Sequence, residues 1–168
     1  KVNVATMEHV GRNFTHFVVY GQARPTIDLT KVKVPKLEFP HLDYHELTEF
    51  MEEHIPDTLT VIGAATGSDA HTVGIDAIFN MKGYAGDYGL ERYPKFKALN
   101  LRAQLGNEDL VKKAIEIKAD AILVSQIVTQ RDSHVHNLEA LRKVIDAHRM
   151  ELQPHIITII GGPRINQK

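Results

Sequence analysis

Residues 58–79 read TLTVIGAATGSDAHTVGIDAIF, and the order of residue types in this stretch decides the fold. The segment Thr58–Gly67 is a nearly continuous apolar run closing on a glycine, the pattern of a strand buried on both faces. A polar Ser68-Asp69-Ala70-His71 turn follows, and the spacing then predicts a helix from about Val73 to Lys82. A buried strand that turns directly into a helix is the repeating unit of a parallel sheet with helices on its faces.

The unit recurs downstream. KALNLRAQ (97–104) reads as a short strand, and NEDLVKKAIEIK as a helix capped by Asn107, with Leu110, Val111, Ala114, Ile115 and Ile117 mostly along one side. ADAILVSQIV reads as a second buried strand. Val135, Leu138, Leu141 and Ile145 fall at helical spacing, and HIITIIGG forms a last strand. Strand–helix alternation predicts an α/β fold, a doubly wound parallel sheet of the Rossmann-like, flavodoxin-like kind. Upstream, DYHELTEFMEEH begins a helix at Asp43 that Pro56 stops, and FTHFVVYG (14–21) and TIDLTKVKV (26–34) read as strands in a piece too small for its own core. Two regions follow from this, a small N-terminal segment over 1–42 and the α/β domain over 43–168.

Bulk composition narrows the function. A net charge of −1 gives no attraction to nucleic acid, and no apolar run has the length of a membrane span. The absence of cysteine removes disulfides, thiolate metal sites and a cysteine nucleophile, in keeping with a cytoplasmic enzyme. G-x-G-x-x-G is missing, since the glycine after Gly63 is Gly67, and no Gly-Lys-Ser/Thr occurs, so dinucleotide and P-loop sites are disfavoured.

In an open parallel sheet the strand ends GAATGSDAH, SQIVTQ and IIGGPR point to one edge. Small residues and hydroxyls gather there: Thr66, Gly67, Ser68, Ser125, Thr129, Gly161 and Gly162. They describe a slot that admits a long ligand, although each taken singly also reads as a plain turn or a core hydroxyl. Within this edge, Asp69-x-His71-x-x-Gly74 has a mechanical meaning: a carboxylate holding one ring nitrogen fixes the tautomer and raises the basicity of the other. The plainer reading is a surface ion pair. No second histidine or carboxylate has zinc-ligand spacing nearby, so a lone imidazole suits a metal already held equatorially by a macrocycle.

Asp69-Ala70-His71-Thr72-Val73-Gly74, Ser125-Gln126-Ile127 and Gly161-Gly162 together resemble the cobalamin-binding domains of methionine synthase and the carbon-skeleton mutases, whose pattern is D-x-H-x-x-G, S-x-L, G-G. Ile127 stands where leucine is usual, and the gap between the first two motifs is longer. The resemblance implies that His71 is the axial cobalt ligand. It further implies cofactor contacts at Ser68, Asp69, Thr72, Val73 and Gly74, at Leu123, Ser125, Gln126, Val128, Thr129 and Gln130, and at Gly161, Gly162, Pro163 and Arg164.

The longer gap holds Lys82, in NMKGYAG. The wider segment TGSDAHTVGIDAIFNMKGYAGDYGLERY, with EDLVKKA, ILVSQIVTQ, GGPRIN and FVVYG, is similar to the small (β) subunits of the lysine 5,6-aminomutase family, with ornithine 4,5-aminomutase the close relative. From spacing alone, eleven residues of continuous helix would set His71 and Lys82 on similar faces roughly 16 Å apart, and a solvated helix-end lysine is the plainer reading of Lys82. The family resemblance implies more: Lys82 forms the internal aldimine with pyridoxal 5′-phosphate, and adenosylcobalamin is the second cofactor. It implies a radical 1,2-shift of the terminal amine of D-lysine or L-β-lysine. It also implies a large TIM-barrel (α) subunit, an α2β2 assembly, and a dimerisation role for the N-terminal segment. A cobalamin carrier, sensor or corrinoid methyltransferase partner would share His71 and leave Lys82 without a role. Lys1 and Lys168 read as cut ends, and the family pattern continues past Gly162 into a further strand, helix and Gly-rich loop.

Overall fold

In the computed structural model, which describes residues 2–9, 15–21, 31, 42–163 and 165, the chain divides into two compact units, 1–40 and 41–168. The first holds an antiparallel pair, β1 (Val2–His9) and β2 (Thr15–Gly21), in which Val4 faces Val19 and Met7 faces Phe17. β1 has no counterpart in the sequence reading. The strand expected over 26–34 lies outside the described residues apart from Lys31.

In the second unit, α1 (Tyr44–His54) starts on a full capping box: Asp43 accepts from the Glu46 backbone, and Glu46 accepts from the Asp43 backbone. The sheet follows as β3 (Leu59–Ala65), β4 (Phe96–Asn100), β5 (Ala121–Ser125) and β6 (Ile157–Gly161), all parallel in the order β4-β3-β5-β6. The chain leaves β3 for one neighbour and returns on the other side as β5. This reversal makes the crevice between the ends of β3 and β5 the expected ligand position. The register aligns those ends, with Ala65 opposite Ser125 and Ser125 opposite Gly161.

Alternation along the strands feeds two cores. Ile62, Ala64, Ile122 and Val124 meet α3 (Asn107–Glu116) and α4 (Ser133–Ala147) through Leu110, Val111, Ala114 and Leu141. Val61, Ala121 and Leu123 meet α2 (Val73–Phe79) on the opposite face through Ile75 and Phe79. Phe79 is fully buried because position 63 has no side chain: a Cβ on Gly63 would lie 2.6 Å from the Phe79 ring. β6, one of the two edge strands, keeps Ile157 and Ile159 half-exposed. Among the described residues no helix is long and apolar enough to cross a membrane.

Two local expectations are corrected. Helix α2 stops at Phe79, not Lys82, because Asn80 leaves the helical region as C-cap (φ −66°, ψ 151°). Asn107 does not cap α3. The N-cap is Gly106, and the Asn107 side chain is drawn across to α4.

Candidate functional site

Asp69 sits just past the end of β3 with 2% of its surface exposed, and both carboxylate oxygens are occupied. Oδ1 accepts from the His71 backbone N–H at 3.0 Å and from His71 Nδ1 at 2.8 Å. Oδ2 accepts from the Ile127 N–H and, at 3.1 Å, from the Val128 N–H, both in the segment leaving β5. Burial by itself pushes the Asp69 carboxyl upward. The backbone donors at His71, Ile127 and Val128, with the His71 ring, outweigh it and hold the group below its ordinary value. The ionised carboxylate therefore bridges the first and third strands of the α/β unit across the crevice.

A carboxylate only accepts, so the proton shared with His71 sits on Nδ1, and in the neutral imidazole Nε2 carries the lone pair. The His71 side chain is 56% exposed, so that lone pair is available to a ligand. Beside it, Gly74, Ile75 and Ile78 of α2 face Leu123, Ser125 and Ile127, with Gly161, Gly162 and Pro163 closing a slot of about 250 Å³. Gly162 is obligatory here, since a Cβ would fall 2.0 Å from the Gln126 carbonyl. Among the described residues no three His, Asp or Glu side chains gather into a metal cage. A metal at His71 would need its other ligands from a group that brings its own, and a single oriented imidazole near the slot fits cobalamin in that respect.

The other expected positions divide by where the fold places them. Val73, the first residue of α2, is 80% exposed beside His71. Ser68 is exposed in the turn and Thr72 is the N-cap of α2 without a side-chain cap bond. Val128 acts through its backbone. Thr129 and Gln130 enter the short 3-10 turn Gln130–Asp132, and Gln130 is exposed. Arg164 lies outside the described residues. Gln126 is placed differently from its neighbours at this edge. Its side chain is buried and turned beneath the edge, where Nε2 donates to the Thr66 carbonyl, Thr66 Oγ1 and the Ser125 carbonyl. Its backbone N–H ties β5 to the Gly161 carbonyl at 2.8 Å. A polar side chain at the end of an apolar strand is equally suited to knitting loops together, and the sequence alone does not separate the two uses.

Lys82 lies in a turn beyond α2 and is exposed, so the helical spacing from His71 does not apply. The loop around it is built from short-range bonds. Gly83 N–H donates to Asn80 Oδ1 at 2.7 Å, Tyr84 and Asp87 exchange backbone bonds, and Met81 N–H donates to Glu91. Gly83 has φ +69°, and a Cβ there would lie 1.8 Å from the Asp87 carbonyl. The far side of the loop is pinned by Tyr88, whose ring meets Tyr44 edge-on at 5.3 Å while the Arg92 guanidinium lies 4.8 Å over it. Tyr84, 77% exposed, follows Lys82 by two residues in the chain.

Known proteins match both parts of the chain. A family model described as the B12 binding domain matches residues 59–168, and one described as the dimerisation domain of d-ornithine 4,5-aminomutase matches residues 1–36. The chain is 51% identical over 162 residues to the lysine 5,6-aminomutase beta subunit of Fusobacterium nucleatum subsp. nucleatum, covering 96% of this chain and 61% of that one. It is 44% identical over 166 residues to the corresponding beta subunit of Acetoanaerobium sticklandii, covering 99% and 63%. It thus spans about three fifths of the length of these curated relatives. A solved cobalamin-binding protein from Desulfitobacterium hafniense DCB-2 superposes with a TM-score of 0.47 at 20% identity, over 73% of this chain and 54% of that chain. With the match to residues 59–168 covering well over half its length, the chain belongs to the B12-binding domain family.

Proposed function

We propose that this chain is the cobalamin- and pyridoxal-phosphate-binding small subunit of an adenosylcobalamin-dependent aminomutase. Its reaction would move the terminal amino group of D-lysine or L-β-lysine to the adjacent carbon. The observation that carries the reading is the Asp69–His71 pair at the crevice, where the Nδ1–H is held at 2.8 Å and Nε2 is left open. Identity to two lysine 5,6-aminomutase beta subunits along nearly the whole of this chain supports the choice of reaction.

Bound adenosylcobalamin would supply a carbon radical, and pyridoxal phosphate an electron-accepting ring for the migrating nitrogen. The residues of this chain have three tasks. Asp69 orients the His71 imidazole toward cobalt and stays ionised so that Nδ1 keeps its proton. The slot lined by Gly74, Gly161 and Gly162 would receive the nucleotide tail of the corrin. Lys82, on an exposed loop, supplies the amine that holds pyridoxal phosphate covalently. A large TIM-barrel subunit in an α2β2 assembly would enclose the diamino acid. The exposed Val4, Met7, Phe17 and Val19 face of the N-terminal pair would serve self-association.

Borohydride reduction in the presence of pyridoxal phosphate, followed by peptide mapping, tests the assignment. A pyridoxyl group on Lys82 is expected. An unlabelled Lys82 in a protein that still binds cobalamin would point instead to a corrinoid carrier.

A further inference from the structure

Helix α4 lies on the sheet face opposite α2, yet two of its residues, one helical turn apart, grip both segments that flank Asp69. Ser133 Oγ–H donates to the Val128 carbonyl at 2.9 Å, and the Val128 N–H is one of the donors to Asp69. Asn137 Nδ2–H donates to Thr66 Oγ1 at 2.7 Å, three residues before Asp69 in the chain. Residues four apart on a helix share a face, so one rigid element sets the separation of the two strand ends that the carboxylate bridges.

The Asn137 end is over-determined. Its amide is oriented by Asn107, whose Nδ2–H reaches Asn137 Oδ1 and the Asn137 carbonyl, each at 3.2 Å. Thr66 Oγ1 takes a second donor from Gln126 at 3.0 Å. The loop root fits the amide so closely that a Cβ on Gly67 would fall 2.6 Å from Asn137 Oδ1, and Gly67 adopts φ +69°. A helix needing only to fill the core would carry leucine at position 137, beside Leu138 and Leu141. A half-buried amide adds little net stability once its own desolvation is counted, but it fixes direction, which an apolar contact does not.

We propose that Asn137, acting through Thr66 and with Ser133 at the neighbouring strand end, is a positioning residue that sets the aim of the His71 imidazole. The proposal rests on the reading of His71 as a cobalt ligand. It places the control of that ligand on a helix that does not line the slot between α2 and the strand ends.

The test uses the intact protein loaded with hydroxocobalamin and reduced to the Co(II) state. Electron paramagnetic resonance with ¹⁵N-histidine labelling reads out imidazole on cobalt. Asn137→Leu and Thr66→Val are expected to lower the histidine-bound fraction and weaken corrin binding roughly 10-fold. Thr66→Ser, which keeps the hydroxyl, should restore both. Full histidine signal and unchanged affinity in Asn137→Leu and Thr66→Val would overturn the proposal, and so would failure of Thr66→Ser to differ from Thr66→Val. If unsubstituted protein shows no histidine on cobalt, the His71 assignment falls. Amide exchange without corrin then decides the brace: faster exchange at His71, Ile127 and Val128 in Asn137→Leu supports it, and unchanged exchange refutes it.

Discussion

His71 and Lys82 are eleven residues apart and are held by opposite means. The His71 segment depends on partners 58 and 59 positions away, because the Asp69 carboxylate that orients it is fixed by the Ile127 and Val128 amides. The Lys82 loop is closed by bonds between residues 80 and 91, with Tyr44 the distant contact against its far side. The difference matches what each task needs. Aiming a lone pair at a metal requires a rigid, buried support, so that group is tied to the sheet. An amine that must reach a carbonyl carbon needs access and length, which an exposed lysine on a small closed loop supplies. The first group stands or falls with the tertiary fold, whereas the second is largely a local structure.

This contrast is broken or sharpened most strongly at Asp69. Asp69→Ala strands the three backbone amide donors of His71, Ile127 and Val128 and unsupports the imidazole, so stability in chemical denaturation is expected to fall by about 3–5 kcal/mol. A loss under about 1 kcal/mol would mean that the long-range tie is unimportant. Gly83→Ala comes next. The left-handed backbone and the approach of the Asp87 carbonyl predict a loss of about 1–2 kcal/mol, with pyridoxyl trapping at Lys82 reduced and corrin affinity kept. If corrin binding fell as well, the loop would not be the separate unit described. His71→Ala removes a half-exposed side chain, for about 1 kcal/mol or less, and should abolish the histidine signal on cobalt while pyridoxyl trapping continues. Lys82→Ala is expected to leave stability within about 0.5 kcal/mol and corrin affinity unaltered, and to eliminate the pyridoxyl peptide. Label appearing on another lysine of that variant would break the assignment.

Much of this architecture is legible in the sequence, because continuous apolar runs closing on small or polar residues (Thr66-Gly67-Ser68, Ser125-Gln126, Gly161-Gly162) mark strands that feed turns. The positions of β3, β5 and β6 and the convergence of their ends follow from that pattern, and the register bears it out. Strand β1 was missed because VNVATMEH alternates weakly and carries a bulge between Val4 and Thr6, which breaks the period of two. The helix limit at Phe79 was missed because Asn80-Met81-Lys82 carries no strong breaker before Gly83. The turn forms because the Asn80 side chain takes the Gly83 N–H. Asn137 left one faint trace, a polar residue set among Val135, Leu138 and Leu141, and pattern alone does not tell such a residue from a solvated one.

The order of residue types alone determined the alternating strand and helix, the common edge, and the pairing of Asp69 with His71. Each is local or periodic, and a two-residue spacing suffices to bring a carboxylate to an imidazole. Only the tertiary structure decided that Asp69 is clamped by Ile127 and Val128, that Gln126 turns inward, and that α4 reaches the root of the His71 loop through Asn137. Those choices depend on which strand lies beside which, and a chain written in one dimension does not carry that distance.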